Sequence, residues 1–171
     1  MSQPKVLTQR IVAHVLQPSD HIILMSALDK DGVLTLDTVE NTVLTDQRFA
    51  YQFIVALLNS RFASWYAYKF VFSNAIRTMD FDDYYVGKLP LPRIDFDNPE
   101  EKAMHGRLVA LVEGMLELHR RKADKSLPQS EREDLEREIA RTDREIDVLV
   151  YDLYGLTEEE RRRVAETWQA R

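Results

Sequence analysis

The sequence predicts an α+β protein: a small, mostly antiparallel N-terminal sheet with one long helix, then an antiparallel helical hairpin and a short C-terminal helix. Three observations support this prediction. Segments rich in Val, Leu and Ile are separated by turn residues before residue 45. Apolar residues then recur at helical spacing from Phe49 to Trp65. After residue 98, two apolar heptad stripes flank a proline.

Three strands are predicted in the first 45 residues, at 5–16, 21–29 and 33–44. The first two are separated by a turn that contains Pro18, and the last two by Asp31-Gly32. An Asp-Gly pair favours a tight hairpin because the turn needs positive φ. We therefore expect a small antiparallel sheet with a hairpin at this turn.

The long helix is predicted at about residues 47–68, where the apolar period changes from two residues to three or four. Residues 69–98 mix aromatic and polar side chains. Within them, "KLPLPRI" is expected to be extended, because a proline disfavours the α conformation in the residue before it. The next helix is expected to begin at Asn98-Pro99, a capping residue followed by a proline at the first helical position.

The helical hairpin is predicted from two stripes joined by a short loop that contains Pro128. The first stripe comprises Met104, Leu108, Leu111, Met115 and Leu118, and the second Leu135, Ile139, Thr142, Ile146, Leu149 and Leu153. We expect a capping box at Ser130 and Glu133 to open the second helix. Gly155 is expected to end that helix, and Thr157 with Glu160 to open a last short one.

We divide the chain at residue 94, with a recognition unit at 1–94 and a hairpin for spacing, docking or dimerisation at 95–171. The first unit has nine basic and nine acidic residues, so the second carries the whole net charge of −6. An acidic total usually argues against nucleic-acid binding. Because the acid lies in the hairpin, that argument does not apply to the first unit.

The composition also excludes several classes of protein. The chain has no cysteine, which excludes disulfides, cysteine–zinc sites and thiol nucleophiles. No apolar run approaches the roughly 20 residues of a membrane span, and the N-terminal residues lack the pattern of a signal peptide. These features favour a cytoplasmic protein with no membrane partner.

The order of these elements resembles the TaqI-like C-terminal specificity domain of type IIG restriction–modification enzymes and related adenine-specific DNA methyltransferases. The blocks that carry this resemblance are "KVLTQRI", "LTLDTVENTVL", "LLNSRFASWYAYKF", "KLPLPRIDFDNPEEKAMHGRLVALVEGMLEL" and "DREIDVLVYDLYGLTEEE". They extend over nearly the whole chain, and the last two are the most specific.

The resemblance implies a target-recognition domain that binds double-stranded DNA in a restriction–modification, phage-defence system. Its partner would be a methyltransferase or restriction catalytic domain that binds S-adenosylmethionine. That domain is absent here, because the chain has no Asn-Pro-Pro-Tyr and its five glycines are too far apart for a methyl-donor loop. We therefore expect no enzymatic activity, no catalytic residue and no cofactor in this chain. It would be either an excised domain or a natural stand-alone piece that needs a catalytic partner.

The candidate DNA-binding residues are polar or basic and lie in the first unit, where Lys and Arg would contact phosphates and the others base edges. They are Gln9, Arg10, Lys30, Asn41, Lys69, Ser73, Asn74, Arg77 and Lys88. Arg10 also matches a basic position in the family's first block. Aromatic residues are frequent among the basic residues of segment 61–93, a combination that suits backbone contact and base stacking. The alternative is that the aromatics are core and the cations ordinary surface.

Other functions are weaker interpretations of the sequence. His105 and His119 lie too far apart on one helix to share a metal, and no metal site is expected. Glu100 and Lys102 resemble part of a nuclease site, but the first turn of a helix explains them better. The main alternative to DNA recognition is a helical-hairpin scaffold that binds other proteins and does not contact DNA.

Overall fold

The computed structural model describes residues 3–168, so the outer ends of both predicted units, residues 1–2 and 169–171, lie outside the described residues. In the described range the protein is α+β, as predicted. Its strands are β1 (Lys5–Gln9), β2 (Ile11–Val12), β3 (Ser26–Asp29), β4 (Val39–Thr42) and β5 (Met79–Asp80). They form an antiparallel sheet of order β3-β1-β4 and a second antiparallel pair, β2 with β5.

The first predicted strand divides at Arg10 and so contributes to both sheets. The Arg10 N–H donates to the Thr38 carbonyl at 3.0 Å, and the Arg10 carbonyl accepts from Phe81 N–H at 2.7 Å. The prediction of one continuous strand at 5–16 is therefore wrong. The N–H of Arg10 bonds to the residue before β4, and its carbonyl bonds to the residue after β5. The chain therefore bends at Arg10, between β1 and β2.

The predicted hairpin at Asp31-Gly32 is also wrong, although Gly32 does have a positive φ of 75°. β1 lies between β3 and β4, and Leu7 is paired with both Ala27 and Asn41. The Asp29 carboxylate accepts hydrogen bonds from the N–H groups of residues 31, 32 and 33, at 2.8 to 3.0 Å. These bonds stabilise a loop at residues 30–38. The observed strands β3 and β4 are therefore shorter than the strands predicted at 21–29 and 33–44.

The helix predicted at 47–68 is divided into α1 (Tyr51–Asn59), α2 (Arg61–Tyr66) and a π-helical turn (Ala67–Val71). The break is at Ser60, which has an extended ψ of 151°. Its hydroxyl accepts from Ala63 N–H at 3.1 Å and so caps α2. The apolar period continues through this break, which is why the sequence pattern predicted one helix.

A short helix, α3 (Asp83–Val86), precedes the predicted hairpin, which is formed by α4 (Pro99–Lys122) and α5 (Gln129–Leu153) and followed by α6 (Glu158–Glu166). The caps at Asn98 and at Thr157 with Glu160 are confirmed, and Gly155 has the expected positive φ, 64°. The capping box predicted at Ser130 is wrong. α5 begins at Gln129, two residues before the start that a cap at Ser130 would give, and its N-cap residue, Pro128, makes no side-chain cap.

Helix α1 is the centre of the packing, between the larger sheet on one side and α4 on the other. Val6 of β1, Phe53 of α1 and Leu108 of α4 have no exposed surface. They belong to one apolar cluster that continues to Val150 and Val164. The core therefore extends across residue 94, and it holds the sheets in a fixed position against the hairpin.

Candidate nucleic-acid interface

Arg10 and Asp80 link the two strands of the smaller sheet at one of its ends, on the protein surface. Arg10 Nε lies 2.6 Å from Asp80 Oδ1, and Nη2 lies 3.0 Å from Oδ2, so the guanidinium binds both oxygens. These hydrogen bonds lower the pKa of the Asp80 carboxyl and raise that of Arg10. The guanidinium side chain keeps about a third of its surface, 32%, exposed. It is thus fixed in place and still has N–H groups available to a ligand.

Residues 67–74 form an unusual turn that presents a lysine and an amide together. Tyr68 is almost fully buried and anchors the π-helical turn. Its carbonyl accepts from Asn74 N–H at 2.8 Å, and Lys69 Nζ donates to Asn74 Oδ1 at 3.0 Å. Ser73 and Asn74 have backbone φ values of 50° and 59°, which residues other than glycine rarely adopt. Backbone strain and a π-helical turn are both frequent at functional sites.

A row of aromatic rings connects β5 to Lys88. The ring of Phe72 lies 6.0 Å from that of Phe81 and 5.0 Å from that of Tyr85. Lys88 Nζ lies 4.0 Å from the centre of the Tyr84 ring and 5.0 Å from that of Tyr85. These are cation–π distances, so the rings position the ammonium group while it stays exposed.

Arg77 lies in the loop just before β5 and is exposed. Within residues 3–168, Arg77 and Lys88 form no ion pair, unlike Arg10. We define the basic–aromatic surface as Arg10 together with residues 69–93. It has five cations, Arg10, Lys69, Arg77, Lys88 and Arg93, and three carboxylates, Asp80, Asp82 and Asp83, hence a net charge of +2. The whole chain has a net charge of −6, so the cations are locally concentrated.

The family of the chain follows from a comparison with known protein families. The model described as the TaqI-like C-terminal specificity domain matches residues 1–91. This range is more than half of the 171 residues, and it contains both sheets and all nine candidate residues.

The chain belongs to this family. Membership indicates a specificity domain, which in restriction–modification enzymes recognises the DNA target. The match ends at residue 91, so the whole helical hairpin lies outside it. The resemblance predicted over nearly the whole chain is therefore longer than the match. No curated protein and no solved structure matched the chain.

The remaining candidate residues of the specificity domain, Gln9, Lys30 and Asn41, are not part of the basic–aromatic surface. Gln9 and Asn41 are on the outer face of the larger sheet, opposite the face that packs on α1. Gln9 Nε2 donates to the Ile11 carbonyl at 2.7 Å, and Asn41 Nδ2 donates to Thr35 Oγ1 at 2.7 Å. Lys30 is exposed in the loop after β3. The nine residues thus form two groups, and Arg10 lies between them.

Some aromatic residues of the specificity domain are in the core and others are on the surface. The sequence analysis had offered a core position for all of them as the alternative to base stacking. Tyr68 and Phe81 are buried. Phe70 and Tyr84 are 61% and 64% exposed, which leaves their rings accessible to a ligand. Trp65, Tyr66, Phe72 and Tyr85 are partly buried and pack against the core. Stacking on a base is therefore open chiefly to Phe70 and Tyr84.

The sequence did not reveal two features of this surface. The pairing of Arg10 with Asp80 joins residues 70 positions apart, and no local pattern predicts it. The contact between Tyr84 and Lys88 spans only four positions, but it depends on the short helix α3 and the turn after it, which the sequence did not predict.

The described residues were also compared with the arrangements that a metal site and a membrane-spanning helix require. Among residues 3–168, no three His, Asp or Glu side chains converge as metal ligands would. In the same range, no helix combines the length and the apolarity that crossing a membrane requires. Glu101, next to the suspected nuclease residues, accepts from Asp95 N–H at 2.7 Å and so binds the segment that leads into α4.

Proposed function

We propose that this specificity domain binds duplex DNA through the basic–aromatic surface and positions the target adenine for a type II or IIG DNA methyltransferase. One observation carries the proposal: Arg10 and residues 69–93, which are connected through Asp80 and the rings of Phe72 and Tyr85, have a net charge of +2 in a chain whose net charge is −6. Local positive charge is what attracts a phosphate backbone, whatever the total charge of the protein.

Each group has a role that follows from its setting. Lys88 and Arg77 are exposed and have no carboxylate partner among residues 3–168, so they suit phosphate contacts. Arg10 is held by Asp80 with a fixed orientation, which favours a directional contact. Ser73 and Asn74 hold polar side chains on a constrained turn, where they can meet base edges.

Methyl transfer belongs to a catalytic partner, because this chain has neither Asn-Pro-Pro-Tyr nor a glycine-rich loop. The partner binds S-adenosylmethionine and flips the target base out of the helix, which costs a few kcal/mol. Binding by the specificity domain offsets part of that cost. We place this activity in the cytoplasm, as part of a phage-defence system.

The experiment is a titration of a pool of random-sequence duplexes at salt concentrations from about 50 to 200 mM, read by fluorescence anisotropy. The variants are Arg77→Gln and Lys88→Gln. Each should weaken binding and reduce the slope of log K against log salt by about 1, since each removes one phosphate contact.

Lys125→Gln is the matched control, because Lys125 is exposed in the loop between α4 and α5. It should leave affinity and slope unchanged. Equal effects of all three variants would contradict the proposed surface. No binding of wild type at the lowest salt, either alone or with its methyltransferase, would instead favour the scaffold function.

A further inference from the structure

The loop between the π-helical turn and β5 exposes an isoleucine within the basic–aromatic surface. We call residues 73–78 the isoleucine loop. Ile76 is 78% exposed, more than Phe70, Tyr84 or Leu91, the other large apolar side chains exposed on that surface. A single exposed apolar side chain is ordinary on a protein. Its meaning therefore depends on the groups that surround it.

Both ends of the isoleucine loop are fixed to the rest of the specificity domain. Near its start, Ala75 N–H donates to the Phe72 carbonyl at 3.0 Å. Directly after its end, Met79 is paired with Val12 in the smaller sheet and is 3% exposed. Ile76 is therefore presented from a backbone with defined ends, which reduces the entropy lost when it binds.

Cationic side chains are bound to both ends of this loop. Lys69 Nζ donates to Asn74 Oδ1 at 3.0 Å near the start. Arg10 binds both carboxylate oxygens of Asp80, two residues after the end. Along the chain, Ile76 thus lies between the residue that holds a lysine and the residue that holds an arginine.

The loop itself adds a further cation and no acid. Arg77 directly follows Ile76 and is exposed, and residues 73–79 contain no carboxylate. An apolar side chain among cations fits a duplex, which has phosphates on its outside and stacked bases between its strands. A second copy of the same surface fits poorly, because it would place like charges against each other.

We infer that Ile76 is a wedge residue, which inserts between two base pairs of the bound duplex while Lys69, Arg10 and Arg77 contact phosphates around it. Isoleucine is one of the apolar side chains that proteins insert in this way. Insertion separates one base step, and a base that has lost its stacking is easier to turn out of the helix. This inference rests on the proposed function, because it needs DNA at the basic–aromatic surface.

A wedge makes a prediction that phosphate contacts alone do not make. Burial of Ile76 between bases is favourable, and the separation of an intact base step opposes it. A duplex in which one base is missing already has a gap in its stack, so insertion there costs less. The chain should therefore prefer a duplex with an abasic site over an intact one, although both carry the same phosphates.

The test compares two labelled duplexes with random-sequence flanks, one intact and one with a single abasic site at its centre, read by fluorescence anisotropy. Wild type should bind the abasic duplex about tenfold more tightly, since separating a base step is costly. Ile76→Thr keeps the branch at Cβ, and with it the local backbone preference, but replaces apolar surface by a hydroxyl. It should bind both duplexes equally.

Two variants control for apolar character and for position. Ile76→Leu should keep the preference for the abasic duplex, because the side chain stays apolar and of similar volume. Leu16→Thr, at a leucine 67% exposed on another loop, should keep it as well. The melting midpoint of Ile76→Thr and its slope of log K against log salt should match those of wild type, since no core contact and no phosphate contact is removed.

Equal binding of both duplexes by wild type would overturn the wedge, and so would a preference that Ile76→Thr retains. A third duplex pool, with uracil in place of thymine, separates insertion from groove contact. If wild type shows no abasic preference but binds this pool more weakly than the intact one, Ile76 contacts thymine methyl groups, and the wedge is wrong.

Failure of the wedge and failure of the proposed function give different results. If Arg77→Gln and Lys88→Gln reduce the salt slope while Ile76→Thr keeps the abasic preference, the DNA surface stands and the wedge does not. If wild type binds none of the duplexes at the lowest salt concentration, both are overturned.

Discussion

Asp147 of α5 binds the start of α2 through Arg61. Its Oδ1 accepts from the backbone N–H of Arg61 at 2.9 Å, and its Oδ2 lies 3.2 Å from Arg61 Nε. The carboxylate occupies the break between α1 and α2, where an N–H group would otherwise lack a partner. This contact joins the hairpin to the family-matched part of the chain, and the Arg61 guanidinium also lies 5.7 Å from the centre of the Trp168 ring.

The first prediction concerns the pH dependence of this contact. Burial raises the pKa of Asp147 to about 6, and nearby Asp143 adds to the rise, while Arg61 opposes it. The folded protein therefore binds this proton more tightly than the unfolded chain does. The contribution of Asp147 to stability is then largest below its unfolded pKa of about 4 and is lost as the pH rises through about 6.

Asp147→Asn keeps an oxygen acceptor for the Arg61 N–H but removes the titrating group. The difference in free energy of unfolding, variant minus wild type, should therefore increase from pH 4 to pH 7 by on the order of 2–3 kcal/mol. Urea denaturation at each pH measures it. A difference that is the same at every pH would show that the Asp147 pKa is not raised.

The second prediction concerns the seam of the helical hairpin. Ile146 is 7% exposed and belongs to the apolar cluster that joins the hairpin to α1. Ile146→Ala should lower the free energy of unfolding by about 2–5 kcal/mol, since it removes buried apolar volume and leaves a cavity. Val148→Ala, two residues away and 50% exposed, should change stability little. Equal melting midpoints for wild type and Ile146→Ala would mean that the seam is not buried.

The third prediction concerns the strained turn at Ser73. Its φ of 50° costs a serine about 1–2 kcal/mol relative to a residue without Cβ. Ser73→Gly should therefore raise the melting midpoint, although glycine usually destabilises a folded protein. Ser130→Gly, in the first turn of α5, is expected to lower it or leave it unchanged. A lower midpoint for Ser73→Gly would indicate that the serine hydroxyl contributes more than the strain costs.

The fourth prediction concerns Asn59, which closes the edge of β3. Its Oδ1 accepts from Ser26 N–H at 2.7 Å, and its Nδ2 donates to the Ser26 carbonyl at 2.9 Å. The side chain thus takes the place of a neighbouring strand at an open edge. Asn59→Ala should cost about 1–2 kcal/mol for two lost hydrogen bonds and increase aggregation on heating.

Thermal melting with light scattering measures both effects in Asn59→Ala. Gln47→Ala, at an exposed amide before α1, is the matched control. It should neither lower the melting midpoint nor increase light scattering. If Asn59→Ala scatters no more light than the control, the edge of β3 is protected by something other than this side chain.

The sequence by itself determined the elements whose signals are local. The α4–α5 hairpin follows from apolar spacing, and its ends at Asn98 and Gly155 follow from capping chemistry that operates within a few residues. The family also follows from sequence, since residues 1–91 match it. These features need no knowledge of distant contacts, because each is set by neighbours along the chain.

Only the tertiary structure decided the strand order and the composition of the basic–aromatic surface. β1 takes the central place between β3 and β4, and the local Asp31-Gly32 signal could not show this because both partners of β1 are distant in sequence. Ser60 breaks a helix whose apolar period continues, because its side-chain cap and the Asp147 carboxylate together satisfy the break. The same reason separates the nine candidate residues: which face of a sheet a residue occupies, and which charges surround it there, depends on strand pairing between residues far apart in the chain.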